Sequence, residues 1–269
     1  MDNATLLSER TAAAHALAEA ERTRVPMPLL SVTYPHFGIE DAYEVQLINV
    51  RRRVAAGAKL RGHKVGLTNK AVQRQSGLTE PDYGHLLDDM FVDDGQALAA
   101  ADFCTMLGVE IELSFVLDRP LRGPGVSVAD VLLATAFIMP SIEVVDSRYD
   151  RSGRHKFSIL DTIADNAGCA RIVLGGQATS PRGLDLRTIG GVLRRNGSIA
   201  DTGATAAVLG NPAVSVAWLV NKVAEFGLGF EAGHVILSGS CVKILRGIKA
   251  GDVIAAEFDQ LGHVGVRFV

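Results

Sequence analysis

Three glutamates in two apolar segments carry the clearest chemical signal in the sequence. Glu110 and Glu112 lie two residues apart in segment 109–117, where apolar and polar side chains alternate. The alternation predicts a strand, and residues two apart on a strand leave the same face. Like charges side by side repel, and burial raises that cost, so such a pair is tolerated on a wet face or around a cation. A solvent-facing polar side of an antiparallel strand is the alternative explanation.

Glu143 stands alone in the apolar segment PSIEVVD (140–146), where we predict a strand over 142–146. A lone carboxylate in such a segment needs a partner, which is either an arginine such as Arg148 or a cation. Three carboxylates on two strands would form an all-oxygen site, which suits Mg²⁺ or Mn²⁺ and not zinc or copper. Three ligands leave about three octahedral positions for substrate and water, as in a catalytic metal site.

Other candidate residues lie in segments rich in glycine or turn-forming residues. Lys64 has a glycine two residues away on each side, which would let the amine pack into a pocket where its pKa falls. A surface lysine is the alternative. Asp82 in EPDYG (80–84) is either a turn residue or a catalyst, and segment 165–166 is either loop structure or a substrate contact. The seven histidines show no spacing typical of a metal pair, and we expect most of them in surface or loop positions.

Helices and strands that would position these residues alternate along the chain. Helices are predicted over 5–24, 39–54, from 127 to just before Pro140, and over 211–226. Further strands are predicted at 235–237, 252–258 and 263–269, and on both sides of an Asn196-Gly197 hairpin turn. Segment 60–68 is short and apolar, and 73–94 is predicted to be a functional or mobile loop. No repeat or linker divides the chain, so we predict one α/β domain.

Composition excludes several classes of protein. The 269 residues can bury a substantial core, and 48% hydrophobic with 21% charged residues is typical of a globular chain. The net charge of -3 and the lack of a basic run longer than 51–53 argue against nucleic-acid or membrane-surface binding. Three scattered cysteines argue against a disulfide framework and a zinc ribbon.

We expect a cytoplasmic protein from the start of the chain and from its one long uncharged stretch. The acidic start of the chain runs into an alanine-rich helix and does not resemble a signal peptide. The uncharged stretch 202–221 is broken by Gly203, Gly210 and Asn211-Pro212, so we expect no membrane span. P-loop, H-E-x-x-H and G-x-S-x-G motifs are absent.

Six segments, in order along the chain, closely resemble the 2-keto-4-pentenoate hydratase family of the fumarylacetoacetate hydrolase superfamily. They are GHKVGLT (62–68), EPDYGHLLDDM (80–90), VEIELSFVL (109–117), PSIEVVDSR (140–148), DTIADNA (161–167) and VLGNPAVSVAWL (208–219). The resemblance covers the chain from about residue 39 to the end. It implies a mixed α/β fold with a β-roll core, flanking helices and an N-terminal helical arm.

The resemblance also implies roles for individual residues. The matching positions are Glu110, Glu112 and Glu143 for a divalent metal, Lys64 and Asp82 for acid/base chemistry, and Ser238, Gly239 and Ser240 for a loop near the substrate carboxylate. We expect a single catalytic domain over 1–269, with a helical arm over 1–60 and a metal-binding β-roll core over 61–269. Homo-oligomeric rings, pentamers or decamers, are expected.

Two positions depart from the family pattern. Leu107-Gly108 stands where the family usually has proline and a basic residue, so the acidic cluster is expected to be more negative than usual. Gly168 stands where decarboxylating and some hydrating members have serine, so a hydrogen bond to substrate is expected to be missing.

The activity that the resemblance implies is metal-dependent hydration of a 2-hydroxy-2,4-dienoate to a 4-hydroxy-2-oxo acid, in meta-cleavage of aromatic compounds. The alternatives are a 2-oxo-3-hexenedioate (4-oxalocrotonate) decarboxylase and a non-catalytic partner of such enzymes. An acylpyruvate hydrolase would need a water-activating dyad on an N-terminal lid, which we do not find. LRGPG (121–125) also resembles hydratases of a seven-carbon diacid, so substrate length stays open. Association with the pathway aldolase or decarboxylase is expected.

Overall fold

Two β-sheets and seven α-helices make up the computed structural model, which describes residues 2–76, 79–105 and 108–269. The helices are α1 Asn3–Thr23, α2 Leu30–Thr33, α3 Ile39–Ala55, α4 Lys70–Ser76, α5 Val128–Ala134, α6 Ile159–Ala164 and α7 Pro212–Ala224. The strands are β1 Leu60–Gly66, β2 Asp82–Leu87, β3 Phe91–Val92, β4 Ala97–Leu98, β5 Gly108–Leu117, β6 Thr135–Val145, β7 Cys169–Leu174, β8 Gly190–Arg195, β9 Ser198–Ala204, β10 Val235–Ser240, β11 Leu245–Arg246, β12 Val253–Phe258 and β13 Gly262–Phe268.

The larger sheet carries every residue of the candidate site. Its strand order is β2-β1-β10-β5-β6-β7-β3, and β11 pairs with the end of β5. The smaller sheet has the order β4-β13-β12-β8-β9 and packs through β12 and β13 against β6. Apolar side chains from both sheets, such as Ile111, Ile142, Ile254 and Val264, form one continuous core. The prediction of a mixed α/β fold is confirmed.

The hairpin of β5 and β6 brings the glutamates together. Glu110 pairs with Glu143 across the two antiparallel strands, and Glu112 pairs with Ser141. Since side chains directly opposite each other share a face, all three carboxylates leave the same side of the sheet. Ile111 points to the other side, into the core. The sequence periodicity predicted the shared face of Glu110 and Glu112, and strand pairing adds Glu143.

The predicted helix from 127 to just before Pro140 is too long. Ser127 caps α5 as expected, with a hydrogen bond from the Asp130 backbone amide to its hydroxyl. The helix ends at Ala134, however, and β6 begins at Thr135 and runs through Pro140. The first part of β6, residues 135–139, contains β-branched and aromatic residues and pairs with β5, and this long-range pairing overrides the local helical periodicity.

The prediction of a loop over 73–94 is also wrong. This segment contains the end of α4, all of β2 and the short strand β3, although residues 77–78 lie outside the described part of the chain. Strand β2 is buried along its whole length, so it lacks the polar–apolar alternation that identifies a half-buried strand. It forms by antiparallel pairing with β1, which cannot be read from local sequence.

The remaining predicted elements are present with small shifts at their ends. Helix α7 begins after Asn211, whose side chain accepts a hydrogen bond from the Ala213 amide. The Asn196-Gly197 turn joins β8 to β9, and both residues have positive φ, as a type I′ hairpin turn requires.

The N-terminal helices pack against the core through α3. Helix α1 contacts α3, and α3 contacts α6. Gln46 of α3 donates hydrogen bonds to the carbonyls of Tyr83 in β2 and Ile163 in α6, at 3.0 and 2.7 Å. Among the described residues no helix combines the length and apolarity needed to cross a bilayer.

Candidate active site around a buried carboxylate cluster

Carboxylate oxygens of Glu110, Glu112 and Glu143 lie within 4.8 Å of one another. Glu112 and Glu143 are buried, and Glu110 is half-buried. The alternative of a solvent-facing strand side is therefore wrong for Glu112. A compact all-oxygen donor set is the kind that hard divalent cations such as Mg²⁺ and Mn²⁺ prefer.

Burial and mutual repulsion disfavour the charged forms of Glu110 and Glu112. Burial and the neighbouring Glu143 raise the pKa of Glu110 to about 7. The pKa of Glu112 is raised well above its usual range by burial and by both other glutamates. One Glu112 oxygen accepts a 2.6 Å hydrogen bond from the Gly239 amide, and the other is buried without a partner. A dication bound among the three would remove this repulsion and engage the unpartnered oxygen, so the residues fit a divalent metal.

Lys64 is buried in β1 beside the cluster, so the alternative of a surface lysine is wrong. Its Nζ lies 3.2 Å from Glu143 Oε1 and donates a 3.0 Å hydrogen bond to the Ala167 carbonyl. The expectation of a lowered pKa is also wrong. Burial disfavours the ammonium, but Glu143, Asp82 and Glu110 outweigh it, and the net effect raises the Lys64 pKa.

Asp82 begins β2 directly opposite Gly66 of β1, on the face that carries Lys64. Its side chain is buried, and neither carboxylate oxygen has a hydrogen-bond partner. Burial raises the Asp82 pKa to about 6, with a further rise from Glu143 and a partial offset from Lys64. A Cβ on Gly66 would lie 2.1 Å from Asp82 Oδ1, so this approach requires glycine. Asp82 is therefore a buried acid that titrates close to neutral pH.

The 238–240 turn of β10 borders the cluster at Glu112. Both serine hydroxyls donate to β5 carbonyls, Ser238 to Leu113 at 2.9 Å and Ser240 to Ile111 at 3.2 Å. Gly239 has φ +108° and packs so closely on the Thr68 side chain that a Cβ would lie 2.2 Å from its Oγ1. In this geometry the two serine hydroxyls fix the turn to β5, and the Gly239 amide donates a hydrogen bond to Glu112.

The 165–168 segment contacts the site through Lys64, which donates to the Ala167 carbonyl. Asp165 forms a buried ion pair with Arg148, so the alternative in which Arg148 pairs with Glu143 is wrong. Asn166 exchanges two hydrogen bonds with the His85 backbone, at 2.7 and 2.9 Å. These contacts fix the following Ala167 carbonyl where Lys64 reaches it. The contacts of Asp165 and Asn166 in this structure are therefore with other protein groups and serve a structural role.

Gly168 occupies a tight backbone position. It has φ +74°, and a Cβ there would lie 3.1 Å from Val145 Cγ1 and 3.2 Å from the Asp146 carbonyl. A serine at this position would be strained in this backbone conformation.

Two features of the site region escaped prediction from the sequence. Arg246 of β11 lies opposite Gly108, and its charge acts on Glu110, so the acidic cluster has a nearby cation despite the Gly108 departure. Leu107, the other half of that departure, lies outside the described residues. His63 and His85 are buried and face each other across β1 and β2, unlike the surface positions expected of most histidines. Only strand pairing could have revealed either feature.

Comparisons with known proteins agree with this architecture. Residues 52–269 match the family described as Fumarylacetoacetate (FAA) hydrolase C-terminal. The chain is 43% identical to an Escherichia coli 2-oxo-hept-4-ene-1,7-dioate hydratase over 98% of this chain and 97% of the relative. It is 37% identical to a Paraburkholderia xenovorans (strain LB400) 2-keto-4-pentenoate hydratase, over 97% and 95% of the two chains.

A solved structure extends the similarity to the whole fold. The 4-oxalocrotonate decarboxylase from Pseudomonas putida G7, complexed with magnesium and adipate, superimposes with a TM-score of 0.91 at 37% identity. The alignment covers 97% of this chain and 98% of that chain. The chain belongs to the fumarylacetoacetate hydrolase superfamily and, within it, to the 2-keto-4-pentenoate hydratase family.

Proposed function

We propose that this protein is a hydro-lyase that adds water to a 2-hydroxy-2,4-dienoate to give a 4-hydroxy-2-oxo acid, in meta-cleavage degradation of aromatic compounds. The observation that carries the proposal is the convergence of the carboxylate cluster with Lys64 and Asp82 on one face of the larger sheet. Relatives similar over nearly the whole chain are named hydratases of such compounds.

Glu110, Glu112 and Glu143 are proposed to hold Mg²⁺ or Mn²⁺. When bound, the dication supplies positive charge that stabilises an enolate at the 2-oxygen of the substrate. The all-oxygen donor set supports this choice. A relative's structures contain magnesium with adipate and calcium with acetate, which supports a hard divalent ion.

Lys64 and Asp82 are proposed to move the protons. The dienol gains a proton at C5 and loses its hydroxyl proton, giving a conjugated ketone. Water then adds its oxygen at C4 and its hydrogen at C3. Asp82 suits a group that alternately holds and releases a proton, because its pKa is raised to about 6, close to the working pH. Lys64 stays protonated because its pKa is raised, and it provides a positive charge and an N–H donor beside Glu143.

The 238–240 turn is proposed to lie near the substrate carboxylate. Its contact with Glu112 through the Gly239 amide supports this placement, because a ligand held by Glu112 would lie next to the turn. The Ser238 and Ser240 hydroxyls, which donate to the backbone, would act by holding the turn in place.

Decarboxylation is the second candidate activity, supported by the close structural similarity to a 4-oxalocrotonate decarboxylase. Loss of CO₂ from a 2-oxo-3-enedioate would use the same charge stabilisation of an enolate. A non-catalytic partner is the third candidate. The retention of all five chemically competent side chains around one cluster argues against it.

The wider organisation is also proposed. The chain would act as a single catalytic domain over 1–269, with its arm over 1–60 docked on the core over 61–269 through contacts such as those of Gln46. Assembly into pentamers or decamers, and association with the pathway aldolase or decarboxylase, are further predictions. The three free cysteines are compatible with a cytoplasmic location.

Product analysis of the purified protein tests the proposed activity. The protein would be incubated with 2-hydroxypenta-2,4-dienoate and, separately, with 4-oxalocrotonate, each with Mg²⁺ or with EDTA. We expect Mg²⁺-dependent formation of 4-hydroxy-2-oxopentanoate and no CO₂ release from either compound. CO₂ release would move the assignment to a decarboxylase, and no reaction with either substrate would favour the non-catalytic partner.

A further inference from the structure

Residues 166–168 form a left-handed turn beside Lys64. Asn166 and Ala167 both have φ +52°, and Gly168 has φ +74°. Residues other than glycine adopt this conformation rarely, and then mostly as single residues and not in a run. Backbone strain of this kind persists only where the surrounding structure holds it, and it is concentrated at functional sites. The turn therefore depends on contacts from outside it.

The Asn166 side chain ties the turn to β2. Its Oδ1 accepts a 2.7 Å hydrogen bond from the His85 amide, and its Nδ2 donates a 2.9 Å hydrogen bond to the His85 carbonyl. Gln46 of α3 holds the same part of β2 through a 3.0 Å hydrogen bond to the Tyr83 carbonyl and a 2.9 Å contact with His85 Nδ1. Both polar atoms of the Asn166 side chain are thus engaged with a well-anchored stretch of backbone.

Gly84 brings this turn next to Lys64. It lies directly opposite Lys64 in the β1–β2 ladder, so a side chain at position 84 would leave the sheet on the Lys64 face. A Cβ on Gly84 would lie 2.5 Å from the Asn166 carbonyl oxygen, so the turn packs directly on this glycine. The Lys64 ammonium reaches the next carbonyl of the turn, that of Ala167, at 3.0 Å.

The Ala167 carbonyl and Glu143 together define the position of the Lys64 ammonium. Nζ lies 3.2 Å from Glu143 Oε1 and donates to Ala167 from the other side of the strand order, across β2 and the turn. A lysine side chain has four rotatable carbons, so a second fixed acceptor restricts where its ammonium lies. With the turn displaced, the ammonium would be free to move around Glu143.

We propose that Asn166 is a positioning residue for Lys64: it holds the left-handed turn so that the Ala167 carbonyl fixes the ammonium for proton transfer. Asn166 acts through Lys64 and does not touch the substrate. This inference rests on the proposed function, because it takes Lys64 as one of the groups that move protons.

Exchange of the Lys64 ammonium protons with water, followed by proton–nitrogen NMR of the protein with saturating Mg²⁺, tests the proposal without turnover. Lys64→Arg assigns the signal by removing it. Asn166→Gly removes both hydrogen bonds to His85 and keeps a residue that tolerates positive φ. We expect about 10- to 100-fold faster exchange in this variant, because a hydrogen bond from a charged group contributes a factor of that size. Gly84→Ala, which displaces the turn and keeps Asn166, should also accelerate exchange.

Asn221→Ala is the matched control. Asn221 of α7 makes the same pair of hydrogen bonds with a backbone, to the amide and carbonyl of Val126 at 2.9 Å each. This variant loses an equivalent pair of contacts and should keep the wild-type exchange rate of the Lys64 ammonium. Wild-type exchange in both Asn166→Gly and Gly84→Ala would overturn the proposal, and so would equal acceleration in Asn221→Ala.

Steady-state kinetics with 2-hydroxypenta-2,4-dienoate separates this inference from the proposed function. Asn166→Gly should lower kcat about 10- to 100-fold and leave KM within about twofold, because a misplaced proton-transfer group slows the reaction and not the binding. A raised KM with unchanged kcat would make Asn166 a substrate contact and overturn the positioning role. Hydration with wild-type exchange in both turn variants would overturn the inference and leave the hydratase standing. Faster exchange in Asn166→Gly, in a protein that hydrates no dienoate, would support the positioning of Lys64 and contradict the hydratase.

Discussion

Replacing Asp82 with asparagine should remove a pH-dependent cost from the folded state. Asp82 is 1% exposed, and its two oxygens have no hydrogen-bond partner, so ionisation in the folded protein is unfavourable. The pKa rises from the usual 3.8 to about 6. At 1.36 kcal/mol per pKa unit, this corresponds to about 3 kcal/mol.

The sign of the effect follows from proton binding. Between pH 3.8 and about 6 the folded state holds the Asp82 proton and the unfolded state has released it. The contribution of Asp82 to the free energy of unfolding therefore falls as pH rises through this window. Asparagine has a similar shape and does not ionise. Relative to the wild type, Asp82→Asn should gain about 2 to 3 kcal/mol between pH 4 and pH 7.5.

Urea denaturation of metal-free protein at the two pH values measures this difference. Asp118→Asn, which removes an exposed carboxylate, is the control and should follow the wild-type pH dependence. Asp82→Asn should also lose about 10²- to 10⁴-fold in turnover if Asp82 moves a proton. Wild-type and Asp82→Asn stability curves that stay parallel from pH 4 to pH 7.5 would refute the reasoning.

Two further substitutions test the supports of the site. Gly239→Ala should weaken Mg²⁺ binding about 10- to 100-fold, measured by calorimetry. The added Cβ would lie 2.2 Å from Thr68 Oγ1 and would displace the backbone amide that orients Glu112. Unchanged Mg²⁺ affinity would show that Gly239 does not orient Glu112. Arg148→Met should lower the free energy of unfolding by about 3 to 5 kcal/mol in urea denaturation, because it leaves Asp165 buried without its partner. A decrease below about 1 kcal/mol would contradict a structural role for the Arg148–Asp165 pair.

The carboxylate cluster could be predicted because its signal is local. The two-residue spacing of Glu110 and Glu112 defines a face, and Glu143 stands out in an apolar strand. Lys64 and Asp82 carry no comparable local signal, since their burial arises from the β1–β2 pairing, and only the family resemblance identified them.

The parts that prediction missed depend on contacts between distant segments. The fully buried strand β2 lacks alternation and was predicted as a loop. The pairing of β6 with β5 ended α5 earlier than its helical pattern indicated. The direction of the Lys64 pKa shift depends on three carboxylates from other strands, so the glycines around it could not reveal it.

The central claim is that the three glutamates hold a divalent ion required for dienoate hydration. The most direct test is the ultraviolet absorbance loss of 2-hydroxypenta-2,4-dienoate with saturating Mg²⁺, for the wild type and for Glu112→Gln. Glu231→Gln removes an exposed carboxylate that pairs with Arg122, and it is the control. We predict Mg²⁺-dependent, EDTA-sensitive loss with the wild type and with Glu231→Gln, and none with Glu112→Gln. Near-normal turnover by Glu112→Gln, or wild-type turnover that survives EDTA, would contradict the account.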